Sequence, residues 1–482
     1  MKSTPGFQSF NPIKNKFNDK TFFCSNEQEI EYALENAQEV SLIFSNLHKQ
    51  KRAEFLVEIK SNLLLEKDSI WGIYHSESGL SESRFAQEFE RTINQIQLFA
   101  DFLINDFQEI SSTQKEVSTL NTPSLIKKWI GIGPVLVLGS SNFPLAYSTI
   151  GGDTVSALAA GCPVIVKAHP MHVGTSSRVA QCILKAIEKF NFPKGVFSHL
   201  IDDSHQVATK LVQDNRIKAV GFTGSIRGGR ALMDLAHSRP NPIPVFAEMG
   251  STNPAVIFKS DIQKNIDEWT SNLAQSICKD AGQFCTKPGV ILVPNNSDGE
   301  KFCDLLTHKI RNHESYWMLH PSILKNFEFL KIRRKEKSKG LLLEKSGQLD
   351  QMQGRQAILK TTIFKLISCQ ELNEEVFGPF SIIATYNDLT EISNYINSIH
   401  GQLTFTFLGS KSEIENNQNL VQLASEKAGR IIFNGVPTGV IVSKAMNHSG
   451  PYPASSDSRF SAVGTDSLFR FLKSVTYQNI FG

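Results

Sequence analysis

What this chain lacks narrows its class before any motif is read. No apolar run among its 482 residues approaches the length that crosses a bilayer. The opening residues, MKSTPGFQSFNPIKNKFND, have no apolar core of the kind a secretory signal carries, so a cytoplasmic location is the expectation. Neither sign of charge is in excess: 50 basic and 47 acidic side chains leave +3, which gives nucleic acid or an anionic membrane no field to follow. Paired cysteines are missing too. Cys24, Cys162, Cys182, Cys278, Cys285, Cys303 and Cys369 are odd in number and scattered, without CxxC pairs or histidines at metal-ligand spacing. They read as reduced thiols, with neither a disulfide framework nor a metal site expected. No internal repeat or low-complexity tract is present.

The chain instead offers alternation. Residues 26–110 carry apolar positions every three or four, as in EIEYALENAQEVSLIFSNL and RFAQEFERTINQIQLFADFL, which predicts a helical lead-in. From residue 130 short β-branched runs alternate with amphipathic helices: PVLVL, PVIVK, KAVGF and PAVIF. That order implies parallel βαβ units. A second alternating stretch from about residue 281 holds VILV, SIIATY, LTFTFLG and GRIIFN, so another α/β domain is expected. The polar segment 108–126 interrupts the helices, and VTYQNIFG reads as a last strand.

Four places in this frame carry groups able to do chemistry. KAVGFTGSIRGGRALMDLA passes from a strand through Gly221–Ser225 into a helix, whose unpaired N–H groups can hold a phosphate close to Gly224; an ordinary serine-capped turn is the competing reading. Cys285 sits in the polar turn AGQFCTKPG, an unusual place for a thiol that packing alone would bury. Cys278, seven positions earlier, is placed on the preceding helix and read as structural. Glu248, in VFAEMGSTNPAVIF, lies between two apolar runs where a solvated surface charge fits poorly. Asn142, in VLVLGSSNFPLAY, follows an apolar strand, where its amide can donate to an oxyanion or simply serve a turn.

Taken in order, SNFP, AAGCPVIVKAHP, VGFTGS, EMGS, GQFCT and EEVFGP resemble the successive signatures of the aldehyde dehydrogenase superfamily, over roughly residues 130–435. The resemblance implies a Rossmann-type cofactor domain, an α/β catalytic domain and a small β oligomerisation element. It divides the chain into 1–108 with 132–248, then 249–464, then 109–131 with 465–482. It implies that Cys285 is the nucleophile, Glu248 the general base and Asn142 the oxyanion donor, aided by the Cys285 backbone N–H. Lys167 would touch the adenosine ribose, Phe222, Gly224 and Ser225 the pyrophosphate, and Glu375 with Phe377 the nicotinamide ribose.

KAHPMHVGTS, FTGSIRGGRAL, GQLTFTFLG and NHSGPYPASSDSRF are similar to the branch holding α-ketoglutaric semialdehyde (2,5-dioxovalerate) dehydrogenases and bacterial NADP-linked fatty aldehyde dehydrogenases. Many NAD-using relatives carry a glutamate three residues after the lysine, where this chain has Pro170. NADP is therefore favoured over NAD, although both are admitted. Ser141 and Ser251 also depart from the usual pattern without removing a functional group. The presence of Glu248 speaks against a CoA-acylating enzyme, and the full set Cys285, Glu248 and Asn142 against a catalytically retired homologue. A small aldehyde is the expected partner, in a homodimer or homotetramer. Phe143 and Phe284 are expected beside the chemistry, and Arg91 could meet a substrate carboxylate or lie solvated on its helix.

Overall fold

The computed structural model describes residues 6–114 and 125–479. A hairpin, β1 (Gly6–Asn11) with β2 (Lys16–Phe23), opens the chain. Its alternation is too irregular to read from sequence, because a register shift falls between Gln8 and Phe10. The expected lead-in follows as four helices: α1 (Glu27–Ser45), α2 (Lys49–Leu65), α3 (Lys67–Ser78) and α4 (Glu82–Asn105). Helix α1 begins with a capping box, Asn26 accepting from the Glu29 N–H while Glu29 reaches back to the Asn26 N–H.

Strands β3 (Ile110–Gln114) and β4 (Leu125–Gly131) come next; much of the polar break, residues 115–124, lies outside the described residues. The first α/β unit then runs β5 (Val135–Leu138), α5 (Gly152–Ala159), β6 (Val164–Lys167), α6 (Val173–Lys189), β7 (Phe197–Leu200), α7 (Gln206–Gln213), β8 (Ala219–Thr223), α8 (Ile226–His237) and β9 (Val245–Glu248). Its five strands are all parallel in the order β7-β6-β5-β8-β9. The chain reverses direction of travel across β5, which opens a crevice at the carboxyl ends of β5 and β8, the usual ligand position in such a sheet.

The second unit holds β10 (Ala255–Ile257), α9 (Ile262–Cys278), β11 (Val290–Pro294), α10 (Ser297–Asn312), α11 (Pro321–Ser338), β12 (Leu341–Glu344), β13 (Ala357–Thr362), α12 (Ile363–Ser368) and β14 (Phe380–Tyr386). It continues with α13 (Leu389–Ser398), β15 (Gln402–Leu408), α14 (Lys411–Asn416), α15 (Gln418–Lys427) and β16 (Ala428–Phe433). These seven strands stand in the order β12-β13-β14-β11-β10-β15-β16, and only β12 runs antiparallel. A final strand, β17 (Leu472–Gln478), pairs with β4, which in turn pairs with β3. Among the described residues no helix is long and apolar enough to cross a membrane.

Most central strands read as apolar runs because both faces are covered: every residue of β5, β6, β10, β11 and β15 is buried. The edge strands β7, β9 and β12 are each only four residues long and include a polar residue, and β13, next to an edge, ends in Lys360, Thr361 and Thr362. Only six residues, 249–254, separate the end of β9 from the start of β10. The carboxyl edge of the first sheet therefore meets the amino edge of the second.

A buried ionic knot fixes this seam. From α4, the Glu88 carboxylate accepts from the Leu145 and Ala146 N–H groups at 2.9 Å each, from the Tyr74 hydroxyl at 2.7 Å and from Arg84 at 3.0 Å. Arg84 Nε also lies 2.9 Å from Asp280, just ahead of the Cys285 turn. Removing one member of such a set strands the others without water. Glu88→Ala is expected to cost about 3–5 kcal/mol, read as a clear fall in Tm on thermal unfolding; an unchanged Tm would contradict this.

Candidate active site

The turn bearing Cys285 is built from three successive residues with left-handed backbone, Asp280, Ala281 and Gly282. At Gly282 a Cβ would sit 2.4 Å from the Gly378 carbonyl oxygen, so only glycine lets the turn close. The thiol then emerges half-buried at the sheet edge, whereas Cys278 is fully buried on α9 and its thiol is pushed up to about 12 by that burial. Asn253, also left-handed, grips the turn from beneath, its Nδ2 donating to the carbonyls of Cys285 at 2.8 Å and Lys287 at 3.0 Å. No signal in the sequence singled it out beyond an asparagine before proline at a strand start.

The structure brings Glu248 to this thiol. Both of its oxygens are buried, and neither accepts a well-aligned hydrogen bond among the described residues. The ligand atoms of Glu248, Cys285 and His448 all lie within 4.8 Å of one another. His448 Nε2 is 3.7 Å from Cys285 Sγ and 2.8 Å from Glu248 Oε1, so it stands between the two. His448, inside NHSGPYPASSDSRF, carries no local sign of a role, because 163 positions separate it from Cys285. It arrives here because residues 454–456 lie along the free edge of β9, with Met249 N–H donating to Ala454 O at 2.8 Å and Ser456 N–H to Ala247 O at 2.9 Å.

Burial raises the Cys285 thiol well above its ordinary range; the Glu248 carboxylate and then Glu375 raise it further, and Arg430 opposes them. Glu375 itself is pushed up to about 7 by burial, moderated by Lys287, which burial brings down to about 8. Glu375 packs against Gly250, just after Glu248, where a Cβ would meet its Oε2 at 2.5 Å. Phe377 follows half-buried on the same loop.

Asn142 lies across the thiol turn, its Nδ2 donating to Gln283 O at 2.9 Å. The Cys285 N–H donates to no carbonyl among the described residues. Phe143 meets Phe284 edge-on at 5.6 Å and Tyr147 edge-on at 5.1 Å, so the expected aromatic wall is present. Arg91 is not solvated: its Nε donates to Val440 O at 3.1 Å and its Nη2 to the Tyr147 hydroxyl at 2.9 Å.

The remaining predicted residues cluster at the carboxyl edge of the first sheet. Lys167 ends β6, buried, with no hydrogen-bond or ion-pair partner for its ammonium among the described residues. Burial lowers it, and Asp202 and Asp203 beyond β7 oppose that. Phe222 and Gly224 turn the chain from β8, and Ser225 caps α8 by accepting from Gly228 N–H. The Gly224 N–H donates to the Glu248 carbonyl at 3.0 Å, tying this turn to the base.

Comparison with known proteins agrees with this geometry. Residues 1–450 match the aldehyde dehydrogenase family. The chain belongs to that family. It is 37% identical over 483 residues to an α-ketoglutaric semialdehyde dehydrogenase of Acinetobacter baylyi, covering 99% of this chain and 91% of the relative. It is 35% identical over 487 residues to α-ketoglutaric semialdehyde dehydrogenase 2 of Azospirillum brasilense, covering 98% and 91%. Among solved structures, glyceraldehyde-3-phosphate dehydrogenase GapN of Methanocaldococcus jannaschii, complexed with NADP, superposes with a TM-score of 0.81 at 18% identity, covering 99% of each chain. This aldehyde dehydrogenase is thus an aldehyde-oxidising oxidoreductase. The residues fit a dinucleotide: a buried lysine without a partner and a helix start open to phosphate stand on one sheet edge.

Because two carboxylates raise the Cys285 thiol, Glu248→Gln removes a like charge and must move its titration to lower pH. The rate of iodoacetamide alkylation against pH is expected to show its midpoint displaced downward from wild type. A midpoint that stays or rises would refute the electrostatic reading.

Proposed function

We propose that this enzyme oxidises α-ketoglutaric semialdehyde (2,5-dioxopentanoate) to 2-oxoglutarate. The placement of a thiol, an imidazole and a buried carboxylate within 4.8 Å carries the catalytic part of that reading. The two relatives at 35–37% identity over nearly the whole chain carry the substrate.

Cys285 Sγ adds to the aldehyde carbon while its proton leaves toward His448 and Glu248, the groups that face it. The oxyanion that forms is met by the Asn142 amide and the Cys285 N–H; one such donor is worth on the order of 3 kcal/mol in the transition state. When bound, the nicotinamide cofactor supplies the hydride acceptor, with Glu375 and Phe377 holding its ribose and Lys167, Phe222, Gly224 and Ser225 its other end. The thioester left on Cys285 is cleaved by water, and Glu248 takes that water's proton. The Glu248 carboxylate is buried and accepts no well-aligned hydrogen bond among the described residues, so it keeps acceptor capacity for this step.

Incubating the protein with 2,5-dioxopentanoate and NADP+ is expected to give 2-oxoglutarate and nicotinamide absorbance without CoA. Cys285→Ser should abolish turnover and Cys278→Ser should keep most of it. Turnover by Cys285→Ser, or a requirement for CoA, would overturn the reading.

NADP+ is the favoured cofactor in this proposal, since Pro170 leaves no carboxylate three residues beyond Lys167. His169 contributes no charge, because burial and the neighbouring His172 and Lys167 hold it neutral. Asp202 is engaged with Ser204 and the Val207 N–H. A carboxylate a few ångströms from a 2′-phosphate would cost about 1–4 kcal/mol. Pro170→Glu is therefore expected to move the kcat/KM ratio toward NAD+ by about tenfold, ~1.4 kcal/mol, in steady-state assays with both cofactors. A wild-type enzyme that strongly prefers NAD+ would contradict it. We further propose a cytoplasmic homo-oligomer in which the β3, β4 and β17 sheet contributes the contact.

A further inference from the structure

Two guanidinium groups beside the thiol lack a carboxylate. Arg91 on α4 and Arg430 on β16 take part in no ion pair among the described residues, although both are partly buried. Arg91 Nη1 and Arg430 Nε are buried without a hydrogen-bond partner. The two side chains hold one loop, Arg430 Nη1 donating to Gly439 O at 3.1 Å and Arg91 Nε to Val440 O at 3.1 Å. Those carbonyls belong to consecutive residues, whose Cα atoms stand about 3.8 Å apart. Two cations are thus gathered around a single stretch of backbone with no anion between them, an arrangement that invites one.

Their position relative to the chemistry is defined by Tyr147. Its hydroxyl accepts from Arg91 Nη2, and Arg91 also lies over its ring at 4.8 Å. On its other side the ring is 5.9 Å from that of His448, the neighbour of the nucleophile. Arg430 acts on both Tyr147 and Cys285 by charge. Phe143, Val440, Val442 and Met446 pack against the cluster of Ala146, Tyr147 and Val463, so apolar surface adjoins Tyr147. A short chain with an aldehyde at one terminus and an anion at the other matches that layout.

We propose that Arg91 and Arg430 form the recognition end of the aldehyde pocket and bind the carboxylate of a short ω-oxo acid, using the donors that the protein leaves unpaired. This rests on the substrate reading above and adds the residues that impose it. An uncharged aldehyde of equal length would leave the two guanidinium groups unanswered, so discrimination appears in KM and not in the chemical step.

The test compares 2,5-dioxopentanoate with pentanal in wild type, Arg430→Met, Arg91→Met and Arg430→Lys, with Tm recorded for each. In both methionine variants KM for the oxo acid should rise tenfold or more with a much smaller change in kcat. The oxo acid to pentanal ratio of kcat/KM should fall by at least tenfold. Arg430→Lys, which keeps charge but loses the planar fork, should fall between. The wild-type KM for the oxo acid should also rise with sodium chloride, and this dependence should weaken in the methionine variants. A ratio that stays at the wild-type value, or equal losses on both aldehydes, would overturn the arginine assignment while leaving the substrate reading in place. A wild-type enzyme that oxidises pentanal as well as the oxo acid would instead overturn the substrate reading and the assignment with it.

Discussion

A thiol, an imidazole and two carboxylates packed at the seam of two sheets set the terms on which this protein works. Each negative charge placed there raises the cost of the next, and the low-dielectric surroundings amplify that cost. Cys285 is consequently held protonated at rest, with Glu248 and Glu375 both opposing its ionisation. The thiol can ionise only when its proton has somewhere to go, and both Glu248 and His448, whose Nε2 is 3.7 Å away, face it.

Much of the architecture serves to hold these groups together against that repulsion. The knot of Glu88, Arg84 and Asp280 ties the helical lead-in to the thiol turn and to the loop carrying Asn142. Asn253 fastens the turn to the start of the second sheet, and residues 454–456 clamp the end of the first. The six-residue link between β9 and β10 then brings base and nucleophile to one seam. Lys167 and the start of α8 stand at the carboxyl edge of the first sheet, while Arg91 lies on α4 with Tyr147 against it.

The legible parts of the sequence were those with local cause. PVLVL, PVIVK, KAVGF and PAVIF became strands because fully covered parallel strands are nearly all apolar, and β5, β6 and β10 are buried at every position. Peripheral β7 and β12 carry no such run, and the β1–β2 hairpin is interrupted by its register shift. Cys285, Glu248 and Asn142 drew attention through unusual local settings, a thiol in a glycine-flanked turn above all. His448 and Arg430 had no such setting. His448 reaches the thiol only because residues 454–456, more than 200 positions beyond β9, fold along that strand, and Arg430 comes from β16 of the second sheet; nothing in NHSGPYPASSDSRF or GRIIFN encodes that meeting by itself.

The central claim is that Cys285 carries the acyl group and Glu248 releases it. Glu248→Gln keeps the shape of the side chain and removes the base. Rapid quenching of this variant with 2,5-dioxopentanoate and NADP+, followed by peptide mass spectrometry, should find a burst of NADPH and an acyl adduct on the peptide containing GQFCTK. An adduct on Cys278, or full steady-state turnover by the variant with no accumulated adduct, would contradict the account.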